Sequence, residues 1–247
     1  MLWNEFVFGP IRSRRYGNSL GINLLPTQAR VCNFQCPYCE CHGRAAGGIA
    51  WPTVGEIEQG FAKALGSAAH IDNITLAGNG EPTLHPAFPA VMESLARLRG
   101  ELRPGVPIVL LTNGTLLYKN DIRDSVIHYA NESVVKADAM NLEMSAAING
   151  VENPEIFERS LRAPFLLKEA GGAVCTQTLF CESRGRRNDE EPHVERWLDF
   201  LALLRPLKAY LYTVAREPAE PVTPVSVGRL RELAARVEAL GIPPVLA

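Results

Sequence analysis

The chain has 247 residues, 47% of them hydrophobic and 21% charged, with 25 Lys and Arg against 27 Asp and Glu for a formal net charge of −2. That balance supplies a full hydrophobic core, excludes a disordered chain, and does not announce a nucleic-acid-coating surface. The start, MLWNEFVFGP, lacks the basic region and apolar run of a secretion signal, and no later stretch approaches a membrane span; the expectation is a cytoplasmic protein with no membrane partner.

Along the chain, a basic stretch (Arg12, Arg14, Arg15) precedes the first strand predicted, LGINLL at 20–25. Next comes VCNFQCPYCECHGR at 31–44, which holds four of the six cysteines. In a reducing compartment a cluster this tight points to metal or chemistry rather than to disulfides. Cys32, Cys36 and Cys39 fall at i, i+4 and i+7, the spacing of one helix face. Pro37 argues against a helix, because its ring disfavours the α region at Cys36 and removes an amide donor. An irregular loop lets the three thiols turn to a common centre. Zinc would need a fourth ligand, which Cys41 or His42 could supply, giving a zinc-stabilised binding module without chemistry. Three cysteines without an obvious fourth suit a [4Fe–4S] cluster whose last iron stays open.

The capping box Thr53–Glu56 starts a helix, and strand NITLAG at 73–78 runs into AGNGEPTLHP, where Gly78 and Gly80 permit close backbone approach and Glu81 brings a carboxylate. A helix at 87–99 leads to strand PIVLLT (107–112) and the turn Asn113-Gly114; a helix at 116–129 leads to strand SVVKA (133–137) and Lys136-Ala-Asp138. Asn153-Pro154 caps a further helix that Gly171-Gly172 closes. Strand AVCTQTLF (173–180), a second basic stretch (Arg184, Arg186, Arg187), a helix at 191–204, strand KAYLYTV (208–214), the proline-rich crossing 216–224 and a helix at 226–240 complete the pattern. Cys175 and Cys181 read as core thiols. Strands alternating with helices imply parallel βαβ units, in an open doubly wound sheet or a barrel wall, with functional groups at the carboxyl ends of the strands in either case.

CNFQCPYC, a CxxxCxxC loop with an aromatic before its last cysteine, resembles the cluster loop of the radical S-adenosylmethionine superfamily. GPIRSRRYGNSLGINLLP, GEPTLHP and LYTVAREPAEP extend the resemblance to a branch related to the wyosine-forming tRNA enzymes. The resemblance implies a partial (β/α)6 TIM-like barrel of parallel strands in one domain over 1–247, with an N-terminal extension at 1–18 and the cluster loop at 27–50. It implies Cys32, Cys36 and Cys39 as ligands of a [4Fe–4S] cluster, and cleavage of S-adenosylmethionine to a 5′-deoxyadenosyl radical that takes hydrogen from a substrate. Tyr38, Gly78, Asn79, Gly80, Glu81, Asn113, Lys136 and Asp138 then serve the cofactor, with Tyr38 near the adenine and Glu81 at the amino group. A flavodoxin or ferredoxin is the implied electron donor, and an RNA base, a protein glycine or a small molecule the substrate. Two departures stand out: residues 1–31 carry no upstream cysteines of the wyosine type, and DAMNLEMSAAING at 138–150 replaces the short Asp-Ala-Gly segment of relatives.

Overall fold

Which faces of the strands meet helices decides between an open sheet and a barrel. In the computed structural model, which describes residues 2–41, 49–68 and 70–247, one set of alternate strand residues packs under helices and the other lines a lumen. Leu20, Ile22, Ile74, Leu76, Ile108 and Leu110 lie in the main core, with Ile57, Phe61, Leu65, Val91 and Leu95 of the covering helices. The intervening positions carry Ser19, Asn73 and Thr75, which hydrogen-bond to one another, together with Lys136, Gln177 and Tyr212. A sheet sandwiched between helices would be apolar on both faces. This one is covered by helices on one face, and the other mixes those polar side chains with a small apolar set, Val109, Val134, Cys175 and Tyr210, that fills the inside of a half-barrel.

In chain order the elements are β1 (Val7–Ser13), β2 (Gly17–Ile22), α1 (Val54–Ser67), β3 (Asn73–Leu76), α2 (Phe88–Leu102), β4 (Ile108–Thr112), α3 (Asn120–Tyr129), β5 (Glu132–Lys136), α4 (Leu142–Asn149), α5 (Pro154–Glu169), β6 (Val174–Ser183), β7 (Arg186–Arg187), α6 (His193–Leu204), β8 (Ala209–Thr213), β9 (Thr223–Pro224), α7 (Val227–Ala239) and β10 (Pro244–Leu246). The sheet order is β1-β2-β3-β4-β5-β6-β8-β10, with the short β7 and β9 pairing on β6. From β2 to β10 all neighbours on this path are parallel, while β1 adds an antiparallel edge. The six strands read from the sequence are β2, β3, β4, β5, β6 and β8.

Differences from that reading have local causes. The N-terminal extension is not free: residues 7–22 form a hairpin, hidden in the sequence by Gly9-Pro10, which breaks the alternation of β1. Helix α3 starts at Asn120 rather than 116, because the Asn113 side chain accepts from the Thr115 amide and hydroxyl and turns the chain there. Helix α4 lies inside 138–150, capped by Asn141 at one end and left-handed Gly150 at the other. Among the described residues no helix is long and apolar enough to cross a membrane.

The lumen is closed at the amino ends of the strands by one half-buried carboxylate. Glu132 accepts from Tyr16 (2.9 Å), Tyr210 (2.6 Å) and Lys208 (3.0 Å), tying the hairpin, β5 and β8 together. Burial alone would raise its pKa, but the hydrogen bonds from Tyr210, Lys208 and Tyr16 outweigh burial and hold it below the usual value. A depressed folded-state pKa contributes stability above the unfolded value, near 4.3, that is lost as pH falls through the folded one. Glu132→Gln is therefore expected to destabilise the protein by about 1.5–3 kcal/mol at pH 7. In urea unfolding, the gap from the wild type should narrow below about pH 4.

Candidate cofactor site

Residues 31 to 41 run from the carboxyl end of β2 across the mouth of the half-barrel. Their first anchor is a single parallel bridge between Val31 and Gly80, made by Val31 N–H to Asn79 O (2.8 Å) and Glu81 N–H to Val31 O (3.0 Å). Gly80 permits it: its φ is +142°, and a Cβ there would lie 1.8 Å from the Val31 carbonyl oxygen. Further along, Gln35 N–H bonds to Asn149 O at the end of α4 (2.9 Å). Phe34, Cys36 and Tyr38 are buried against Ala147, Ile148, Val151 and Leu179.

One cavity of about 180 Å³ is lined by Cys32, Cys36, Cys39, Tyr38, Gly78, Gly80, Glu81, Asn113 and Lys136. Nine of the eleven residues picked from the sequence thus meet at one place, at the carboxyl ends of β2, β3, β4 and β5. Two do not face it. Asn79, given to the cofactor by the sequence reading, is 0% exposed. Its side chain turns the other way, accepting from Trp3 N–H (2.8 Å) and donating to Trp3 O and Pro26 O; it clamps the N-terminal segment. Asp138 lies behind Tyr38, out of reach of the cavity. It accepts from the Tyr38 hydroxyl, Asn149 Nδ2 (2.8 Å) and Leu179 N–H (2.9 Å), and pairs with Lys136 (3.3 Å).

Glu81 lines the cavity and is held there by its own hydrogen bonds. It is 2% exposed, and both oxygens are taken: Oε1 by Thr83 N–H, Thr83 Oγ1 and Thr112 Oγ1, Oε2 by Asn113 N–H (2.7 Å). Burial pushes its pKa up even against these donors. The carboxylate braces the loops after β3 and β4 at the cavity wall, beside the glycine backbone and Asn113.

Polar N–H groups point at the sulfurs. Cys32 Sγ receives Phe34 N–H (3.4 Å) and Asn113 Nδ2 (3.8 Å), and Cys36 Sγ receives Asn149 Nδ2 (3.8 Å). Burial, then neighbouring Cys36 and Glu81, push the Cys32 thiol up to about 12, and burial raises Cys36 as well. Cys39 is held low, at about 6, by its side-chain hydrogen bonding with Cys41 and by Arg30, and Cys41 is correspondingly raised. Arg30 is opposed by burial, but Cys39, Cys32, Cys36 and Cys41 keep it charged. Desolvated thiols with N–H donors and a cation beside them fit a metal centre that draws off their protons. Among the described residues no three His, Cys, Asp or Glu side chains are set to hold a single ion. A cluster binds each thiolate through a different iron, and three cysteine donors fit one with an iron left open. Cys41 donates to Gly78 O (3.2 Å) outside the cavity lining, and His42 lies outside the described residues. Cys175 and Cys181 are fully buried core thiols.

The sequence reading missed Asn149, Arg30 and Gln177. Asn149 had a signal, since Asn141 and Gly150 bracket a short helix; Gln177 had none beyond its place on a strand.

A parallel half-barrel with a three-cysteine loop at its mouth defines an iron–sulfur enzyme scaffold. The radical SAM superfamily model matches residues 28–181, and the chain belongs to that superfamily. Its cofactors are those of the family, a [4Fe–4S] cluster and S-adenosylmethionine. A UPF0026 protein of Methanocaldococcus jannaschii is 27% identical over 86% of this chain and 64% of its own length, so the chain spans just under two thirds of that relative. A UPF0026 protein of Synechocystis is 29% identical over 83% of this chain and 74% of its own. Among solved structures, Streptococcus suis SuiB bound to S-adenosylmethionine superposes with a TM-score of 0.70 at 13% identity, covering 92% of this chain and 50% of that one. TYW1 with a lysine–pyruvate adduct gives 0.65 at 16% identity, covering 91% and 75%. At those identities the likeness is one of fold.

Gly80→Ala is expected to break the bridge to Val31, lowering stability by about 1–3 kcal/mol and iron content after reconstitution. Gly100→Ala, in α2 with open space around it, should instead stabilise by up to about 1 kcal/mol. Chemical unfolding of both variants beside the wild type tests the pair.

Proposed function

We propose that the protein is a radical S-adenosylmethionine enzyme in which Cys32, Cys36 and Cys39 hold the cluster and the fourth iron is left for the cofactor's amino acid moiety. The observation that carries this reading is the meeting of those three thiols with Gly78, Gly80, Asn113 and Lys136 in one cavity. When bound, the group supplies one-electron cleavage of the sulfonium and a 5′-deoxyadenosyl radical that abstracts hydrogen from a substrate.

The chain's own residues orient and protect. Asn113 and Asn149 donate to Cys32 and Cys36 sulfurs, which favours a reduced, more negative cluster. Gly78 and Gly80 offer backbone to the cofactor's ammonium, Tyr38 an aromatic face to its adenine, and Asn113 and Lys136 polar groups to ribose and carboxylate. Lys136 Nζ stays charged despite burial, because Asp138 lies beside it, and it donates to the Tyr38 hydroxyl (2.8 Å), fixing that ring. The segment before β9 closes over the loop: Ala219 N–H bonds to Cys39 O (3.2 Å) and Glu220 N–H to Pro37 O (3.0 Å), restricting water at the thiols. An external flavodoxin or ferredoxin supplies the electron in this reading.

Protein purified without oxygen is expected to be brown with about four irons per chain. Replacing Cys32, Cys36 or Cys39 by Ala should abolish colour and iron, and Cys41→Ala should keep both. Colourless wild type with one zinc, or bleaching by Cys41→Ala alone, contradicts the assignment; metal analysis and absorption spectra decide.

A further inference from the structure

The two basic stretches have different fates. Each arginine of the second is matched by carboxylate: Arg184 with Glu220 (3.0 Å), Arg186 with Glu143, and Arg187 with Glu182, Asp189 and Glu190 (3.0–3.2 Å). The first stretch lies at the opposite ends of the strands, where Arg12 pairs in register with Asn18 at the start of β2, and none of its arginines has a carboxylate partner in the described structure. They line a second cavity, about 420 Å³, between the β1 edge and the β8–β10 edge of the half-barrel.

Its position relative to the cofactor cavity is specific. Tyr38 and Ala77 line both, so the Tyr38 ring is a shared wall. Arg15 reaches from the hairpin into the lumen, where Nη1 donates to Gln177 Oε1 (2.9 Å) and the guanidinium stacks on the Tyr212 ring, 5.0 Å from its centroid. Gln177 itself lines the cofactor cavity. Held by one hydrogen bond and one ring, the planar fork has donors left over and no counter-charge. Arg12 and Arg14 add two more cations on the exposed rim. The one acidic side chain in the lining, Glu40, is engaged by Arg216 (2.7 Å). A net positive, partly enclosed chamber of small-molecule size, one side chain from the cofactor, is built for an anion.

We infer that this lateral cavity is the substrate chamber and takes a small organic oxyanion, a carboxylate or a phosphate ester, with the Arg15 guanidinium as the residue that binds its anionic group. The inference rests on the proposed function for its chemistry and on the cavity for its specificity. Arg15 grips the charged end from the amino-end side of the lumen, so the opposite end of the substrate faces Tyr38 and the cofactor. A carboxylate and a phosphate ester both fit a bidentate fork; binding separates them.

The test uses the full chain, cluster-loaded with S-adenosylmethionine bound, and two probes at low salt: inorganic phosphate followed by phosphorus NMR line width, and acetate followed by saturation transfer. At least one should bind saturably, acetate alone marking a carboxylate site and phosphate alone or both a phosphate-accepting one. Arg15→Gln should weaken the bound probe about ten- to a hundredfold, Arg15→Lys should restore part, and Arg184→Gln should leave affinity unchanged. Should Arg15→Gln not fold, Tyr212→Leu, which removes the ring under the guanidinium, should weaken binding severalfold. No saturable binding of either probe, or an affinity indifferent to both variants, overturns the inference. So does a single-stranded RNA oligonucleotide that binds more tightly than either probe and depends on Arg12 and Arg14 but not Arg15. Cluster absorption and cofactor binding recorded on the same samples keep the two readings apart. Their absence from the wild type defeats the proposed function, and their presence without anion binding defeats the chamber alone.

Discussion

A carboxylate removed from water must have its lone pairs filled by protein donors, and two such groups shape the mouth of this half-barrel. Glu81 takes four donors from the loops after β3 and β4, among them the Asn113 amide; Asp138 takes donors from Tyr38, Asn149 and β6. Each carboxylate is thereby linked through one asparagine to one sulfur, Asn113 to Cys32 and Asn149 to Cys36. An unsatisfied buried carboxylate costs several kcal/mol, far more than a single hydrogen bond contributes. The demand for satisfaction therefore fixes these loops, and the thiols inherit that order.

The same economy of structure separates two chambers. Helices cover one face of the sheet, the other carries both polar side chains and the small apolar set at Val109, Val134 and Cys175, and the lumen divides at Tyr38. On one side lie the thiols and glycines; on the other lie Arg15, Tyr212 and the open edge between β1 and β10. Lys136 and Asp138 hold Tyr38 by its hydroxyl, and Lys136 Nζ lies 5.1 Å from its ring centroid. A ring fixed in this way keeps the boundary between the two chambers in one place.

Much of this was legible in the sequence, for reasons specific to each part. The central strands carry unbroken β-type runs; Thr53 and Asn153 mark helix starts by side-chain chemistry that acts locally, and Gly171 a helix end by its positive φ. The thiol loop announces itself through cysteine spacing and Pro37. What was illegible depends on contacts far apart in the chain. Asn79 looked like part of a cofactor turn, yet its partner is Trp3, 76 residues away. Glu81 read as a carboxylate at the mouth, and its partners Thr112 and Asn113 lie 31 and 32 residues further along the chain. Strand β1 was hidden by Gly9-Pro10 and β10 by its length of three residues. The arginines of the two basic stretches are indistinguishable in composition; only the fold shows that one set is neutralised and the other lines a cavity.

The central claim is that the three thiols hold a cluster with an iron open to S-adenosylmethionine. Electron paramagnetic resonance of the anaerobically reduced protein, before and after adding S-adenosylmethionine, tests it most directly. The account predicts the signal of a reduced [4Fe–4S] cluster whose shape and g-values change on adding the cofactor, because the cofactor binds the iron itself. A protein with no such signal, or one whose signal is indifferent to S-adenosylmethionine, contradicts it.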